Sequence, residues 1–353
     1  MSAWSAGPSG WRLCGTSTIR VPHMSYQTNP NTLIRLLQAK AVAGGDPVNA
    51  VGYAKAQFGP SNVVVELLEK AVLGTGDLGS DPDFLAAGRG FMELVRSRSL
   101  IGKIAAASPF RKVPFETRTL KQTGSTVAAW TAEGQPIPVT TSSFAATKLS
   151  HAKIAGIVPM TAELLKGAGA NFESAMSRDL VRAVASLESS SFILPSNAGV
   201  PGESPASVTN GVVPIAASGA TADALKTDVR ALIKSFQGDL ETAVLVGSPA
   251  MGVRLHLAGY EGAGAMGGEV LGIPLVTSGS VPDGLLALID PSGILLADDG
   301  VLMDLSEQGT LTMEGGEVVS LWSENLAAIK ATRIVNWLTS RDGSVAYITG
   351  ADW

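Results

Sequence analysis

The sequence predicts an α+β fold, and three changes of pattern along the chain support this class. Apolar residues recur at helical spacing up to about residue 112, and from 113 to 161 they alternate with polar residues as in strands. Helical spacing returns over 171–193, and short helix and strand patterns alternate from 221 onward. The 40 glycines among 353 residues indicate many turns rather than a helix bundle.

Composition limits the function classes. The chain is 45% hydrophobic and 16% charged, with a net charge of -5. This acidic balance argues against a positively charged surface for sequence-specific nucleic-acid binding. It is compatible with a protein that merely encloses nucleic acid. Cys14 is the only cysteine, so no disulfide can form within the chain, which fits a reducing cytosolic compartment. No apolar run is long enough for a membrane helix.

The N-terminal region reads as a helical arm. Residues 1–30 have a disordered composition, the first 23 lack the apolar block of a secretory signal, and Met24 is a candidate start. Helices are predicted over 31–43 and 61–74, before the polar linker "TGDLGSDPD" at 75–83. A further helix is predicted within 84–100. Its apolar face comprises Phe84, Ala87, Phe91, Leu94 and Val95.

A long hairpin is predicted from 113 to 150. "VPFETRTLKQTGSTVAAW" and "SFAATKLSHAKIAGIVPMT" are extended runs separated by "AEGQPIP". Pro136 and Pro138 donate no ladder hydrogen bond, which places them at the tip. Such a hairpin has no core of its own, so it must lie on something else.

The clearest helix spans 171–193 and begins at a candidate cap, Asn171. Its predicted apolar stripe comprises Phe172, Met176, Leu180, Val184 and Leu187. Off the stripe lie Glu173, Arg178, Asp179, Arg182 and Glu188. Residues 195–212 read as a loop, and an α/β subdomain follows whose last predicted strand is "GILLAD". The C-terminal run "VVSLWSENLAAIKATRIVNWLTS" fits helix and strand equally well by period.

One motif suggests a nucleotide enzyme. Gly262, Gly264 and Gly267 have the GxGxxG spacing of a dinucleotide-binding turn, and Asp290 ends a later apolar run as a ribose-binding acid would. A phosphate-binding turn must follow a strand and open a helix. Here the preceding segment reads as a helix and the following one as a strand. The reversed context favours a flexible glycine-rich loop.

Other catalytic and metal patterns are missing from the sequence. His23, His151 and His256 are far apart without a metal-binding spacing, and His151 is predicted to be a partly exposed strand residue. Asp298, Asp299 and Asp304 lack the spacing of a calcium loop, so a turn between strands is the simpler interpretation. The sequence therefore predicts no catalytic residue, no metal and no cofactor.

Several stretches, in order, resemble one known family. They include "FMELVRSRSLIGKI", "RKVPFETRTLKQTGSTVAAWTAEGQPIPVTTSSFAATKLSHAKIAGIVPMTAELL", "SPASVTNGV", "LGIPLVTSGSVPDG", "IDPSGILLADDG" and "AAIKATRIVNW". Over 84–348 the chain resembles tailed-phage major capsid proteins. Their fold was first seen in the Hong Kong phage and is also found in encapsulin shells. The resemblance implies a structural protein of the virion, present in the host cytoplasm during assembly.

The resemblance also implies a division of the chain. It comprises an N-terminal arm or scaffold-like segment (1–83), a helical lead-in (84–112), an extended loop (113–150), a peripheral domain (151–221 and 317–353) with a spine helix (171–193), and an axial domain (222–316). It further implies that the ambiguous C-terminal run is mainly strand. The expected assembly is a set of pentamers and hexamers that form an icosahedral shell around double-stranded DNA.

Two surfaces are predicted to contact neighbouring copies. The hairpin tip carries Trp130, Glu133, Pro136, Ile137, Pro138 and Val139. The axial loop carries Gly262, Gly264, Gly267 and Gly268. Expected partners are further copies of the chain, a portal, a maturation protease and decoration proteins, without a membrane. An encapsulin-like compartment and a nucleotide-binding enzyme stay open as alternatives.

Overall fold

The computed structural model describes residues 32–44, 46–73, 91–122, 144–167, 170–313 and 315–353. The helices are α1 (Thr32–Val42), α2 (Pro47–Phe58), α3 (Val63–Leu73), α4 (91–98), α5 (Leu100–Ala107), α6 (Ala162–Gly167), α7 (Ala170–Ile193), α8 (Ala222–Ser235) and α9 (Pro249–Leu257). None of the described helices is long and apolar enough to cross a membrane. The α+β class predicted from the sequence is confirmed.

The strands are more numerous than the sequence predicts. They are β1 (Arg111–Lys112), β2 (Arg118–Gln122), β3 (Phe144–Lys148), β4 (Lys153–Thr161), β5 (Ile215–Ala216), β6 (Val244–Gly247), β7 (Gly268–Val270), β8 (Ile273–Thr277), β9 (Leu286–Ile289), β10 (Ile294–Ser306), β11 (Thr310–Thr312), β12 (Val318–Ser320), β13 (Leu326–Thr339) and β14 (Val345–Thr349). The predicted run 143–161 is therefore two strands, separated by His151 and its neighbours.

The N-terminal region contains three helices where two were predicted. The missed helix, α2, has little apolar periodicity, but its start is well marked. Asp46 accepts a hydrogen bond from Val48 N at 3.0 Å, and Pro47 occupies the first helical position. Apolar residues of α1–α3 share one core with α7, β4, β10 and β13. The described part of the arm therefore packs against the rest of the chain.

A four-stranded sheet in the order β1-β10-β13-β4 supports α7. β10 and β13 pair over 12 positions, from Ile294↔Thr339 to Ser306↔Ala328, and form a long antiparallel ribbon. The apolar period of the C-terminal run did not distinguish helix from strand. In the structure the run forms two strands, β12 and β13. From Lys330 onward the side chains of β13 alternate between the core and the outer face.

The buried face of α7 differs from the predicted stripe in its second half. Met176, Leu180 and Val184 are buried as predicted, but Leu187 is 51% exposed and Glu188 is only 1% exposed. The face rotates because α5 covers the C-terminal half of α7, where Leu100 N donates to Ser189 Oγ at 2.9 Å. A single-period stripe cannot represent a helix with two different neighbours.

A second, six-stranded sheet has the order β5-β14-β9-β6-β8-β7, with both parallel and antiparallel pairs. α8 and α9 pack on it through one apolar core. Its strand membership differs from the sequence-based grouping in two places: "GILLAD" lies in β10 of the four-stranded sheet, whereas the C-terminal β14 lies here. Pairing partners far apart in sequence decide this, and periodicity does not encode them. The domain boundaries stay a prediction.

Candidate subunit-interface surfaces

The base of the predicted hairpin is a two-stranded ribbon. β2 and β3 pair antiparallel from Arg118↔Lys148 to Gln122↔Phe144, and neither pairs with another described strand. The six predicted tip residues, Trp130, Glu133, Pro136, Ile137, Pro138 and Val139, lie outside the described residues. The hairpin form of the segment is thus supported at its base, while the interface role of its tip stays a proposal.

Polar contacts fasten the hairpin to its root. Glu116, with a φ of 63°, donates its N–H to Leu149 O at 2.9 Å and forms an ion pair with Lys148. That contact with Lys148 lowers the pKa of Glu116. His151 lies between the strands rather than in one, and its ring stacks on Phe115 with centroids 4.4 Å apart. These contacts fix the direction in which the hairpin leaves the sheet.

The glycine motif lies between α9 and β7, so the helix precedes it and the strand follows. This confirms that the context is the reverse of a dinucleotide site. A Cβ on Gly268 would lie 2.0 Å from Gly262 O, and one on Gly252 of α9 would lie 2.1 Å from Gly264 O. The glycines are therefore explained by close backbone packing, rather than by the flexibility inferred from the sequence.

Large apolar side chains are exposed around this axial loop. Met266 within the loop is 98% exposed. Val253 and Leu257 are four residues apart on the solvent side of α9, and Leu271 is exposed at the β7–β8 turn. Exposed apolar groups of this size are typical of surfaces that bind another protein. Their placement favours a contact role for the loop.

Asp290, the candidate ribose-binding acid, is buried and hydrogen-bonded within the protein. It is 0% exposed and accepts hydrogen bonds from Asp239 N at 3.1 Å, Thr242 Oγ1 at 2.9 Å and Ser292 Oγ at 2.7 Å. Burial alone would raise the pKa of Asp290, but these hydrogen bonds outweigh it, and the pKa is lowered. The carboxylate is therefore a structural anchor between loops, and no ribose site is built around it.

The three aspartates 298, 299 and 304 belong to one long strand, β10, and not to a turn as the sequence suggested. A β-bulge between Asp298 and Gly300 bends the strand there. Asp304 pairs with Lys330 of β13 at 3.0 Å. Among the described residues, no group of three or more His, Cys, Asp or Glu side chains could hold a metal ion.

A buried ion-pair network, which periodicity did not predict, joins four elements. Arg333 of β13 donates from Nε to Glu188 Oε2 of α7 at 3.2 Å, and its Nη1 pairs with Asp298 Oδ1 of β10. Arg96 of α4 donates to the other oxygen of Asp298 at 2.9 Å. Arg333 is 1% exposed. The network fixes α7 and α4 to the centre of the sheet.

The two carboxylates of the network have pKa values shifted in opposite directions. Desolvation raises the pKa of Glu188, although the charge of Arg333 and a side-chain contact with Ser99 act to lower it. Burial also acts to raise the pKa of Asp298, but two arginines hold it down at about 2. The sequence signal for such a pair is a charged residue among the apolar residues of a helix, together with an arginine among the apolar residues of a strand. Nothing in the spacing reveals which acid meets which base.

Leu187 and Trp337 line a groove of about 360 Å³ beside the network. It also contains Lys153 at the start of β4 and Glu203 in the loop after α7. The groove is a shallow surface feature with no convergent catalytic groups. It adds a second partly apolar surface to the candidates for contact.

Comparisons with known proteins agree on one family. The family model described as "Phage capsid family" matches residues 87–328. A capsid polyprotein of Pseudomonas phage PAJU2 is 31% identical over 289 residues, which is 74% of this chain and 43% of that protein. The chain thus spans less than half of the length of this curated relative.

Solved structures share the fold at low sequence identity. The structure from Mycobacterium phage Cain aligns with a TM-score of 0.52 and 16% sequence identity. The alignment covers 70% of this chain and 89% of the phage Cain chain. That of Mycobacterium phage Adephagia has a TM-score of 0.51 and 14% identity, with 71% and 90% covered. The capsid of a native GTA particle, computed with C5 symmetry, also gives 0.51, with 13% identity and 71% and 90% covered.

Proposed function

The chain belongs to the phage capsid family, and from that membership we propose that it is a major capsid protein that self-associates into the shell of a virion. Copies form pentamers and hexamers that close an icosahedral shell around double-stranded DNA, without reading its sequence. The role is structural rather than catalytic. It needs one chain to make several different contacts with copies of itself, because heterologous contacts that close produce rings.

The β2–β3 hairpin supports this function most directly. Among the described strands, β2 and β3 pair only with each other. An isolated two-stranded hairpin is marginally stable in water and gains stability when it lies on another surface. In a shell, the neighbouring copy supplies that surface. Many such contacts of moderate strength are sufficient because multivalency multiplies them.

Electron microscopy of the purified full-length chain tests the proposal. We expect closed particles with five- and six-fold clusters in negative stain. A preparation that stays monomeric across protein concentrations and salt conditions, with the expected partners as well as without them, contradicts a self-assembling shell protein. Addition of the chain's expected partners, a portal, a maturation protease and decoration proteins, then tests whether assembly depends on them.

An encapsulin-like compartment is the second structural candidate. The described helices α1–α3, which precede the matched region, favour the phage capsid. Gene neighbourhood separates the two: portal, terminase and protease genes accompany a phage capsid, and a cargo enzyme accompanies a compartment.

We expect the segment before about residue 84 to act during assembly and to be removed afterwards. The linker 75–83 is rich in Gly, Asp and Pro, a composition that proteases cut readily. Since α1–α3 share a core with α7, removal of the segment requires that core to be rebuilt. Mass spectrometry of mature particles checks the prediction. A full-length chain there means that the segment is a permanent arm.

We expect the shell to lack isopeptide cross-links between copies. Some relatives join a tip lysine to a neighbour's asparagine, with a glutamate as the base, and such chemistry needs an amine held close to the amide. The tip "TAEGQPIPVTTSS" contains Glu133 but no lysine, and Lys148 is engaged with Glu116 at the root. Boiled particles on a denaturing gel without reductant should give monomer bands. Ladders of pentamer and hexamer size would contradict this.

A further inference from the structure

The ribbon formed by β10 and β13 carries opposite charges at its two ends. Residues 305–325, which connect the two strands, contain four glutamates and no lysine or arginine. At the other end, residues 110–118 contain Arg111, Lys112 and Arg118 against one acid, Glu116. That single acid is already paired with Lys148.

The two ends cannot neutralise each other within one chain. β1 pairs with β10 at Leu295 and Leu296, whereas the acidic connection begins after Ser306. Ten strand residues separate these points, or roughly 33 Å at 3.3 Å per residue. Glu317, Glu324 and the three cations are exposed, and none forms an ion pair with another residue in the described part of the chain.

A tryptophan stands at the acidic end. Trp322 is 80% exposed, in a turn whose backbone is held by Leu321 N donating to Gly309 O at 2.9 Å and Leu326 N donating to Leu321 O at 2.8 Å. Leu321 itself is buried, so the turn is anchored while the indole points outward. Tryptophan and arginine dominate protein interfaces, and a guanidinium stacks well on an indole face.

We propose that the turn bearing Glu317, Trp322 and Glu324 docks on the cationic edge, formed by Arg111, Lys112 and Arg118, of a second copy. This inference rests on the proposed function and names a pair of surfaces that hold its copies together. The contact is heterologous, because the two surfaces differ, so it joins copies head to tail. Opposite charges on the two surfaces orient the encounter and disfavour contacts between like ends.

Charge reversal tests the pairing. In the full-length chain, Glu317→Lys with Glu324→Lys should lower the assembled fraction about tenfold, and Arg111→Glu with Lys112→Glu should do the same, since each places like charges in contact. Combining all four changes should restore assembly to within about twofold of the original chain. Sedimentation of particles at fixed protein concentration gives the assembled fraction. Glu93→Lys with Glu241→Lys, an equal charge change at exposed positions without ion pairs in the described part of the chain, is the matched control for the acidic reversal and should assemble normally.

The outcomes separate this inference from the proposed function. If the original chain forms no particles even with the expected partners added, the proposed function fails. If it forms particles and both single-sided reversals also do so at unchanged yield, only the docking pair is wrong, and the cations merely protect the β1 edge. If the acidic reversal blocks assembly and the combined variant stays blocked, the Trp322 turn meets a different surface, which also overturns the pairing. Circular dichroism of each unassembled variant identifies folding defects, and Trp322→Ala, which changes no charge, should also lower assembly.

Discussion

Replacing Arg333 by leucine is expected to lower the free energy of unfolding of the unassembled subunit by about 3–5 kcal/mol. Asp298 keeps Arg96 as a partner, but Glu188 is left as an unpaired charge among apolar residues. The matched control is Lys330→Leu, three residues earlier on the same strand. Lys330 pairs with Asp304 at the surface, so its loss should cost about 0–1 kcal/mol. Urea unfolding of both variants measures the difference.

The pH dependence identifies the cause. The pKa of Glu188 is raised, so its contribution to stability is complete below its ordinary value of 4.5 and is lost as the pH rises through the raised pKa. Asp298 acts in the opposite direction: its contribution is complete above 3.8 and is lost as the pH falls through about 2. In the Arg333→Leu variant, acidification toward pH 5 should therefore recover stability by neutralising Glu188. A deficit that is independent of pH, or below about 1 kcal/mol, contradicts the unpaired-charge explanation.

The hairpin tip is the second site where we expect a large effect. Trp130→Ala with Ile137→Ser should leave a folded, soluble subunit that assembles poorly, because these apolar side chains lie on an element with no core of its own. Particle yield in sedimentation and negative stain measures assembly, and thermal unfolding of the free subunit measures folding. Val213→Ser, at an exposed apolar position outside the hairpin, is the control.

Two results would contradict an interface at the tip. Normal particle yield would show that no neighbour depends on these side chains. A large fall in the melting temperature of the free subunit would show instead that the tip packs against its own chain. The first outcome would mean that the tip makes no important contact with a neighbour. The second would mean that its contact lies within the same subunit.

Local sequence patterns were sufficient to predict the parts of the helices and strands that have one dominant environment. The buried stripe of Met176, Leu180 and Val184 identified α7, and side-chain alternation identified the extended runs that became β2, β3 and β4. The reversed order of helix and strand around Gly262 and Gly267 was enough to reject a dinucleotide site. These features are readable because neighbours three, four or two residues apart determine them.

Prediction failed where distant segments meet. Leu187 was placed on the apolar stripe of α7 and Glu188 off it, but Leu187 is exposed and Glu188 is buried, because α5 and Arg333 cover that part of the helix. α2 was missed because its apolar pattern is weak, although its cap at Asp46 is a clear local signal. β10 was grouped with the axial strands although its partner, β13, lies beyond them in sequence.

The sequence by itself determined the α+β class, the long helix, the hairpin, and the absence of a recognisable catalytic pattern, because each depends on local periodicity or on residue type. The tertiary structure decided which strands share a sheet, which acid pairs with Arg333, and which end of the β10–β13 ribbon is acidic and which is basic. These depend on pairing between residues as far as 202 positions apart, as for Arg96 and Asp298. The free energy that selects such pairs comes from burial and charge in the folded chain, which no short window of sequence contains.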